Sequence, residues 1–301
     1  MKRRHFLKQS TVFFAASCLT GQEMLASAVA KRNKGRIGLQ LWSIRPELAQ
    51  DVKGNLKKVA EIGFSAIETF GHFKENEKFF GLTAKELNGI TKDLGMSISG
   101  SMYQGEEWLP ENVNTPEWDS WKRCIADIHA MDAKWAVQAS APGIYIETMD
   151  QLKRIATYFE LAGDLCRQNG LKFGFHTHEH NFIVIDGISA IDYLLQQTNP
   201  KQVFFQFDMC NVLDAGADPM EYMLNYPGRF PLWHATDYDI EKRQIVEVGK
   251  GDMNYPALFD KAKSFGLEQL TVEIHIPGDS FAMCKEAFNY FKQFKWTKGN
   301  L

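Results

Sequence analysis

Short apolar runs alternate with amphipathic stretches along most of this sequence. Each run is four to six residues long, the usual length of a buried parallel strand. The runs lie at 37–41, 66–69, 97–102, 135–138, 172–176, 203–208, 232–236 and 269–274. Eight strand–helix units in about 260 residues are expected for a closed (β/α)₈ TIM barrel.

Helical periodicity fills the intervals between these runs. It is clearest at 55–62, 188–197, 219–226, 255–265 and 281–294. Two further helices have capping-box signals at their starts, in which a threonine is followed three residues later by Glu or Gln. These pairs are Thr83 with Glu86 and Thr148 with Gln151.

A doubly wound open sheet is the rival architecture for such an alternation. That fold places a glycine-rich phosphate-binding turn after its first strand, and no such turn follows residues 37–41. The chain also has no linker and no break in composition. We therefore predict a single α/β domain, a (β/α)₈ TIM barrel over residues 31–301.

The first thirty residues have the charge and hydrophobicity order of an export signal. Lys2-Arg-Arg-His-Phe-Leu-Lys8 resembles a twin-arginine motif, an apolar stretch covers 11–19, and small residues at 26–30 offer cleavage sites. The apolar stretch is too short for a permanent membrane span. We predict that residues 1–30 are a twin-arginine-type signal peptide leading to the periplasm. A lipoprotein anchored at Cys18 is the weaker alternative.

The charge balance argues against nucleic acid as a partner. The net charge is −3 and the pI is about 6.3, with no long basic run beyond the N-terminus. Four cysteines follow residue 30, far apart and without a Cys-x-x-Cys pair, so buried free thiols are expected. The sequence leaves open whether the chain forms a homo-oligomer.

Polar residues that can bind a metal lie at or near the ends of the predicted strands. In a barrel of this kind the active site is built at the C-terminal ends of the strands. The residues are Glu68, His176, Asp208, His234, Glu273 and His275. A carboxylate or imidazole there must be paired or metal-bound, because desolvating it alone is costly. Two carboxylates and two imidazoles suit one divalent ion, namely Mn²⁺, Co²⁺, Zn²⁺, Fe²⁺ or Mg²⁺.

Five short motifs, in a fixed order along the chain, carry a family resemblance. They are Leu39-Gln-Leu-Trp-Ser-Ile-Arg45, Glu61-Ile-Gly-Phe-Ser-Ala-Ile-Glu68, Phe207-Asp208, Trp233-His-Ala-Thr-Asp-Tyr238 and Val248-Gly-Lys-Gly-Asp252. Together they resemble the sugar phosphate isomerase/epimerase family, which has a xylose isomerase-like barrel. That family holds a metal through a Glu on strand five, an Asp on strand six, a His on strand seven and a Glu on strand eight. The resemblance assigns the last three roles to Asp208, His234 and Glu273.

Strand five departs from the family pattern. An imidazole replaces the expected Glu, so His176 is the fourth candidate ligand and Glu179 is a competing one. His178 lies on the same face as His176 by strand alternation and is a catalytic candidate. Asn211 stands where the family commonly has a His after the strand-six Asp.

The resemblance implies proton abstraction next to a carbonyl, with a metal stabilising the enediolate. Glu273, Glu68 and His178 are the candidate catalytic residues. We predict a metal-dependent isomerase or epimerase acting on a keto sugar or related polyol. Because an imidazole replaces the strand-five carboxylate, a lyase or dehydratase acting on a 3-keto-glycoside or an inosose is an alternative. A non-catalytic carbohydrate-binding barrel is the third hypothesis, and the acidic pI disfavours an endonuclease.

Five residues are candidates for substrate binding. Trp42 stacks on a sugar ring or belongs to the core, and Arg45 binds substrate or caps a helix. Lys250 contacts substrate oxygens or is a solvated loop cation, and Asn211 and His275 complete the set. The sequence has no phosphate cradle, so the expected partner is an unphosphorylated small carbohydrate.

Overall fold

Eight parallel strands close into a barrel in this computed structural model, which describes residues 37–72, 79–104, 116–139 and 146–298. The strands are β1 Ile37–Gln40, β2 Ala66–His72, β3 Ser97–Gln104, β4 Trp135–Gln138, β5 Lys172–His176, β6 Val203–Asp208, β7 Leu232–Ala235 and β8 Gln269–Val272. Each strand pairs with its neighbours in chain order, and β8 pairs with β1. This closure confirms the (β/α)₈ prediction and excludes the open sheet. The predicted signal peptide at 1–30, with Cys18, lies outside the described residues.

The helices lie between the strands and cover the outside of the barrel. They are α1 Arg45–Leu48, α2 Val52–Ile62, α3 Ala84–Asp93, α4 Pro116–Ala130, α5 Met149–Gln168, α6 Ala190–Gln197, α7 Met209–Asp214, α8 Pro219–Asn225, α9 Tyr255–Lys261 and α10 Ser280–Phe291. Both predicted capping boxes are present, at Thr83 before α3 and at Thr148 before α5. In each, the threonine side chain accepts from a backbone N–H while the Glu or Gln three residues later accepts from the threonine N–H.

Two boundaries differ from the sequence prediction for identifiable reasons. The helix expected at 188–197 begins at Ala190, because Ile188–Ser189 pairs antiparallel with Val184–Ile185 in a small hairpin. Strand β8 ends at Val272 and not at residue 274, because the Ile274 N–H donates to Ser43 Oγ and leaves the ladder. A second hairpin, Asp237–Asp239 with Gln244–Val246, follows β7 and was not predicted.

Alternation along the strands separates the barrel interior into an apolar layer and a polar layer. Near the N-terminal end, Trp135 and Leu232 belong to one apolar cluster, with the half-buried Phe204 packed against it. Two residues further along their strands, Gln206 and His234 lie on the same inward face, nearer the C-terminal mouth. The polar groups therefore gather where barrel enzymes build their active sites.

The outward faces of the strands pack against the helices. The ring of Phe159 in α5 lies 5.4 Å from that of Phe173 and 4.7 Å from that of Phe175, both in β5. The four cysteines after residue 30 are free and buried, as predicted. Burial raises the pKa of Cys284 to about 12, which keeps this thiol protonated. In the part of the chain that the structure describes, no helix has both the length and the apolar character needed to cross a membrane.

Gly100 and Gly89 give opposite expectations for substitution by alanine. A Cβ at Gly100 in β3 would lie 2.8 Å from the Cβ and from the carbonyl oxygen of Trp135, whereas nothing lies within 4 Å of a Cβ at Gly89 in α3. We expect Gly100→Ala to destabilise the fold by about 1–3 kcal/mol through overpacking. Gly89→Ala should stabilise it by about 0.5–1 kcal/mol, because alanine favours the helix. Denaturant unfolding measures both, and a fully stable Gly100→Ala protein would contradict the packing of β3 on β4.

Candidate metal centre and active site

Four buried side chains converge at the C-terminal mouth of the barrel. They are His176 and Asp208 at the ends of β5 and β6, His234 in β7, and Glu273 just after β8. One ligand atom from each lies within 4.8 Å of the others, and none of the four residues is more than 5% exposed. This ligand group contains two nitrogen and two oxygen donors, a set that suits a divalent transition metal.

Asp208 has one carboxylate oxygen that is fully engaged and one that is not. Its Oδ1 accepts from the backbone N–H groups of Cys210 and Asn211 and, at 2.7 Å, from the Thr236 hydroxyl. Its Oδ2 is buried, 3.9 Å from Nε2 of His176, and accepts no hydrogen bond from the residues that the structure describes. A buried carboxylate oxygen without a partner is costly, and a cation at this point would satisfy it. The residues present therefore fit a metal ion.

His176 reaches this group as a neutral imidazole. Its Nδ1 lies 3.1 Å from Oε1 of Gln206, and its Nε2 faces Asp208. Burial lowers the pKa of His176 well below its usual range, and the neighbouring His234 adds to this effect. A neutral imidazole with a free ring nitrogen is the form that binds a metal.

His234 lies between two carboxylates. Its Nδ1 is 2.6 Å from Oε2 of Glu273, and its Nε2 is 2.5 Å from Oε2 of Glu68. Burial alone would lower the pKa of His234, but the charges of Glu273 and Glu68 outweigh it and hold this pKa well above its usual range. The two carboxylates thus stabilise positive charge at this position, whether a proton or a metal supplies it.

Glu273 remains a carboxylate despite its burial. Burial alone would raise its pKa, but the charges of His234 and His275 outweigh it and hold the pKa well below its usual range. Its Oε2 also lies 3.1 Å from Nε2 of His275. Glu273 therefore belongs to the ligand group and carries the negative charge of a base.

A cavity of about 210 Å³ opens beside the ligand group. One wall is polar and includes His176, His178, Glu273 and His275 from the ends of β5 and β8. The rest of the lining comes from the ends of β1 to β4 and is largely apolar, with Gln40 beside Trp42, Phe70, Gly71, Met102 and Ala139. A bound molecule is thus held between apolar surface and the metal-competent groups.

His178 stands at the edge of this cavity. Its ring stacks on that of His180 at 5.2 Å and meets that of His176 edge to face at 4.8 Å. Its Nδ1 is buried and has no hydrogen-bond partner within the described part of the chain. Burial lowers the pKa of His178, so the ring is neutral at neutral pH and able to accept a proton.

Comparison with known proteins agrees with this geometry. The family described as a xylose isomerase-like TIM barrel matches residues 56–299. The chain belongs to the xylose isomerase-like TIM barrel family. This membership confirms the resemblance seen in the sequence motifs.

Two curated relatives of this xylose isomerase-like barrel are inosose dehydratases. The protein of Geobacillus kaustophilus is 25% identical over 205 residues, which cover 64% of this chain and 63% of that protein. The protein of Clostridium perfringens is 24% identical over 199 residues, which cover 66% of this chain and 56% of that protein. In both cases the matched region spans less than two thirds of the relative.

A solved structure adds a second similarity. A sugar phosphate isomerase/epimerase from Parabacteroides distasonis superposes on this barrel with a TM-score of 0.76 at 26% identity. The match covers 87% of this chain and 96% of that one. This member of the xylose isomerase-like family is therefore similar in sequence to dehydratases and in structure to an isomerase/epimerase.

The predicted substrate-binding residues have different surroundings in the structure. Trp42 borders the cavity, and the Arg45 guanidinium lies 4.3 Å from the centre of its ring and donates to its carbonyl. Asn211 donates to the carbonyl of Thr177. Lys250 is exposed and forms an ion pair with Glu247.

Two further candidates, Glu179 after strand five and Glu68 in strand two, lie outside the ligand group. The side chain of Glu179 is 47% exposed and faces His180, so His176 and not Glu179 joins the ligand group. Glu68 is 1% exposed, and its two oxygens contact Gln40, Gln206 and His234. Both oxygens of its carboxylate are thus occupied by hydrogen bonds to these three neighbours.

The buried amides of Gln40 and Gln206 were not predicted from the sequence. Both are fully buried, Gln40 at the end of β1 and Gln206 within β6. A signal for Gln206 was available, because it precedes Asp208 by two residues and so shares its inward face. An uncharged amide in an apolar run is a weaker sequence signal of a functional site than a carboxylate or an imidazole.

Proposed function

We propose that this protein is a metal-dependent isomerase or epimerase that acts on a keto sugar or related polyol. The observation that carries the proposal is that Glu273 both belongs to the four-residue ligand group and borders the cavity. A carboxylate at this position would lie beside the substrate carbon that is next to a carbonyl group facing the metal. Reaction at that carbon is the chemistry of an isomerase or an epimerase.

The residues divide into ligands, proton carriers and positioning groups. His176, Asp208, His234 and Glu273 would hold one divalent ion, which supplies Lewis-acid stabilisation of the enediolate. Glu273 would take the proton from the substrate carbon, and the neutral ring of His178, at the end of β5, would move the second proton. We assign Glu68 a positioning role, because its oxygens are already occupied by Gln40, Gln206 and His234.

The apolar wall of the cavity supports the substrate assignment. Trp42 and Phe70 are the aromatic side chains of that wall, and aromatic faces pack against the C–H face of a sugar ring. No lysine or arginine is among the described residues that border the cavity. This lining favours an unphosphorylated carbohydrate.

A dehydratase is the second candidate. Two observations favour it: the inosose dehydratase relatives and the imidazole of His176 in place of a strand-five carboxylate. With Glu273 as the only carboxylate among the described residues bordering the cavity, one base faces the substrate. Glu273 would remove the proton next to the carbonyl, a C=C bond would form to the following carbon, and the hydroxyl on that carbon would leave as water with the proton that Glu273 has taken up.

Hydrogen exchange in D₂O tests both candidates. The metal-loaded protein is incubated with ketopentoses, ketohexoses and an inosose, and the products are analysed by NMR and mass spectrometry. We expect deuterium at the carbon next to the carbonyl only when metal is present. Formation of an epimer or isomer supports the first candidate, whereas loss of water supports the second. If no substrate exchanges its proton, proton abstraction is wrong and a carbohydrate-binding barrel is favoured.

We also propose that residues 1–30 export the folded protein to the periplasm. The support is the twin-arginine motif with the apolar stretch behind it. Replacement of Arg3 and Arg4 by lysine should retain the protein in the cytoplasm, and cell fractionation measures this. Periplasmic protein after that double replacement would contradict the twin-arginine route.

A further inference from the structure

Three buried side chains form a hydrogen-bonded layer directly beneath the ligand group. Gln40, Glu68 and Gln206 are at most 1% exposed, and they come from β1, β2 and β6. Gln206 contacts His176 on one side and Glu68 on the other. Glu68 in turn contacts His234, so the layer joins both imidazoles of the ligand group.

The carboxylate of Glu68 sets the orientation of the Gln206 amide. The Gln206 NH₂ donates to Oε1 of Glu68 at 2.8 Å. The Gln206 carbonyl oxygen is then the atom 3.1 Å from Nδ1 of His176. Because a carbonyl oxygen only accepts, Nδ1 of His176 must carry its hydrogen. The lone pair of the ring lies on Nε2, which faces Asp208.

His234 donates to a carboxylate on each side. Its Nδ1 is 2.6 Å from Oε2 of Glu273, and its Nε2 is 2.5 Å from Oε2 of Glu68. Gln40 donates to this same oxygen of Glu68 at 2.8 Å, which holds the carboxylate in place.

We propose that Gln206 is a positioning residue that selects Nε2 as the metal-binding nitrogen of His176, and that it acts in one layer with Glu68, which holds the Gln206 amide in this orientation. The inference rests on the metal site of the proposed function. Hydrogen bonds of this kind to the non-ligating nitrogen fix the ring and its tautomer in metal sites. Removing Gln206 frees the His176 ring and also leaves Oε1 of Glu68 without its amide donor.

NMR of the metal-free protein with ¹⁵N-labelled histidine tests the tautomer without any substitution. The His176 signal is assigned by comparison with the His176→Gln protein. We expect the wild-type ring to carry its hydrogen on Nδ1, and Gln206→Leu to shift the population toward the Nε2–H form. A wild-type ring with its hydrogen on Nε2 would overturn the proposal, even if the variant does not fold.

Chelator competition with Zn²⁺ and with Mn²⁺ gives the second readout. We expect Gln206→Leu to weaken binding about 10–100-fold. Gln138→Leu is the matched control, because Gln138 is also fully buried in a barrel strand but bonds to Tyr158 and Tyr103 and not to the ligand group. Unchanged affinity in Gln206→Leu, or an equal loss in Gln138→Leu, would overturn the proposal. No sugar is used, so a failed exchange assay leaves this result intact.

Discussion

Asp208→Asn is expected to lose the metal and to lower the rate of proton exchange about 10³-fold. The asparagine carbonyl retains the acceptor that Cys210, Asn211 and Thr236 use, whereas an NH₂ group replaces the unpartnered Oδ2. That group carries no charge and cannot ligate a cation. A bound metal contributes several kcal/mol of transition-state stabilisation, which converts to a rate factor of about this size. Elemental analysis should fall from about one metal per chain to none.

Asp237→Asn is the matched control for this substitution. Asp237 is also buried, at 1% exposure, but both of its oxygens accept from backbone N–H groups of the loop after β7. Its substitution should lower stability and leave the metal content unchanged. Retention of the metal by Asp208→Asn, or its loss from a folded Asp237→Asn protein, would contradict the assignment of the ligand group.

His178→Gln is expected to slow proton exchange about 10²–10⁴-fold while the metal content stays at the wild-type level. This range is the usual contribution of a positioned acid or base. His178 borders the cavity, its Nδ1 has no hydrogen-bond partner among the described residues, and it is not one of the four residues of the ligand group. Its ring is therefore available to the substrate. The rate of hydrogen exchange in D₂O and the metal content, measured on the same preparation, separate catalysis from metal binding.

His180→Gln serves as the control for this second substitution. The ring of His180 stacks on that of His178 at 5.2 Å, but His180 is not among the residues that border the cavity. We expect less than a tenfold change in exchange rate. Equal losses in the two variants would mean that the loop after β5 acts through its structure, and a normal rate in His178→Gln would remove this residue from the mechanism.

The ligand group was predictable because each of its members lies at or near the end of an apolar strand. His176 and Asp208 close β5 and β6, and Glu273 follows β8 directly. Position along a strand is a local property, and the C-terminal ends of parallel strands in a barrel meet at one mouth. The choice between His176 and Glu179 was not local, because it depended on where β5 ends and a short 3₁₀ turn begins.

The small hairpins escaped prediction for a different reason. Val184–Ile185 and Ile188–Ser189 are two-residue strands, which are too short to show a period of two. The helical pattern of the following residues extended over the second of them. Pairing across the turn at Asp186 and Gly187, both with positive φ, decided the structure of this segment.

The sequence by itself determined the alternation of strands and helices and the mouth at which the polar residues gather. The eight repeats, with no glycine-rich turn after the first strand, also favoured the closed barrel over an open sheet. Only the tertiary structure decided what each polar group contacts. Glu68 bonds to Gln40, which is 28 residues away, and to His234, which is 166 residues away. Hydrophobic periodicity is repeated within every segment and can be read locally, whereas a hydrogen bond inside the barrel depends on the register of strands that are distant in the chain.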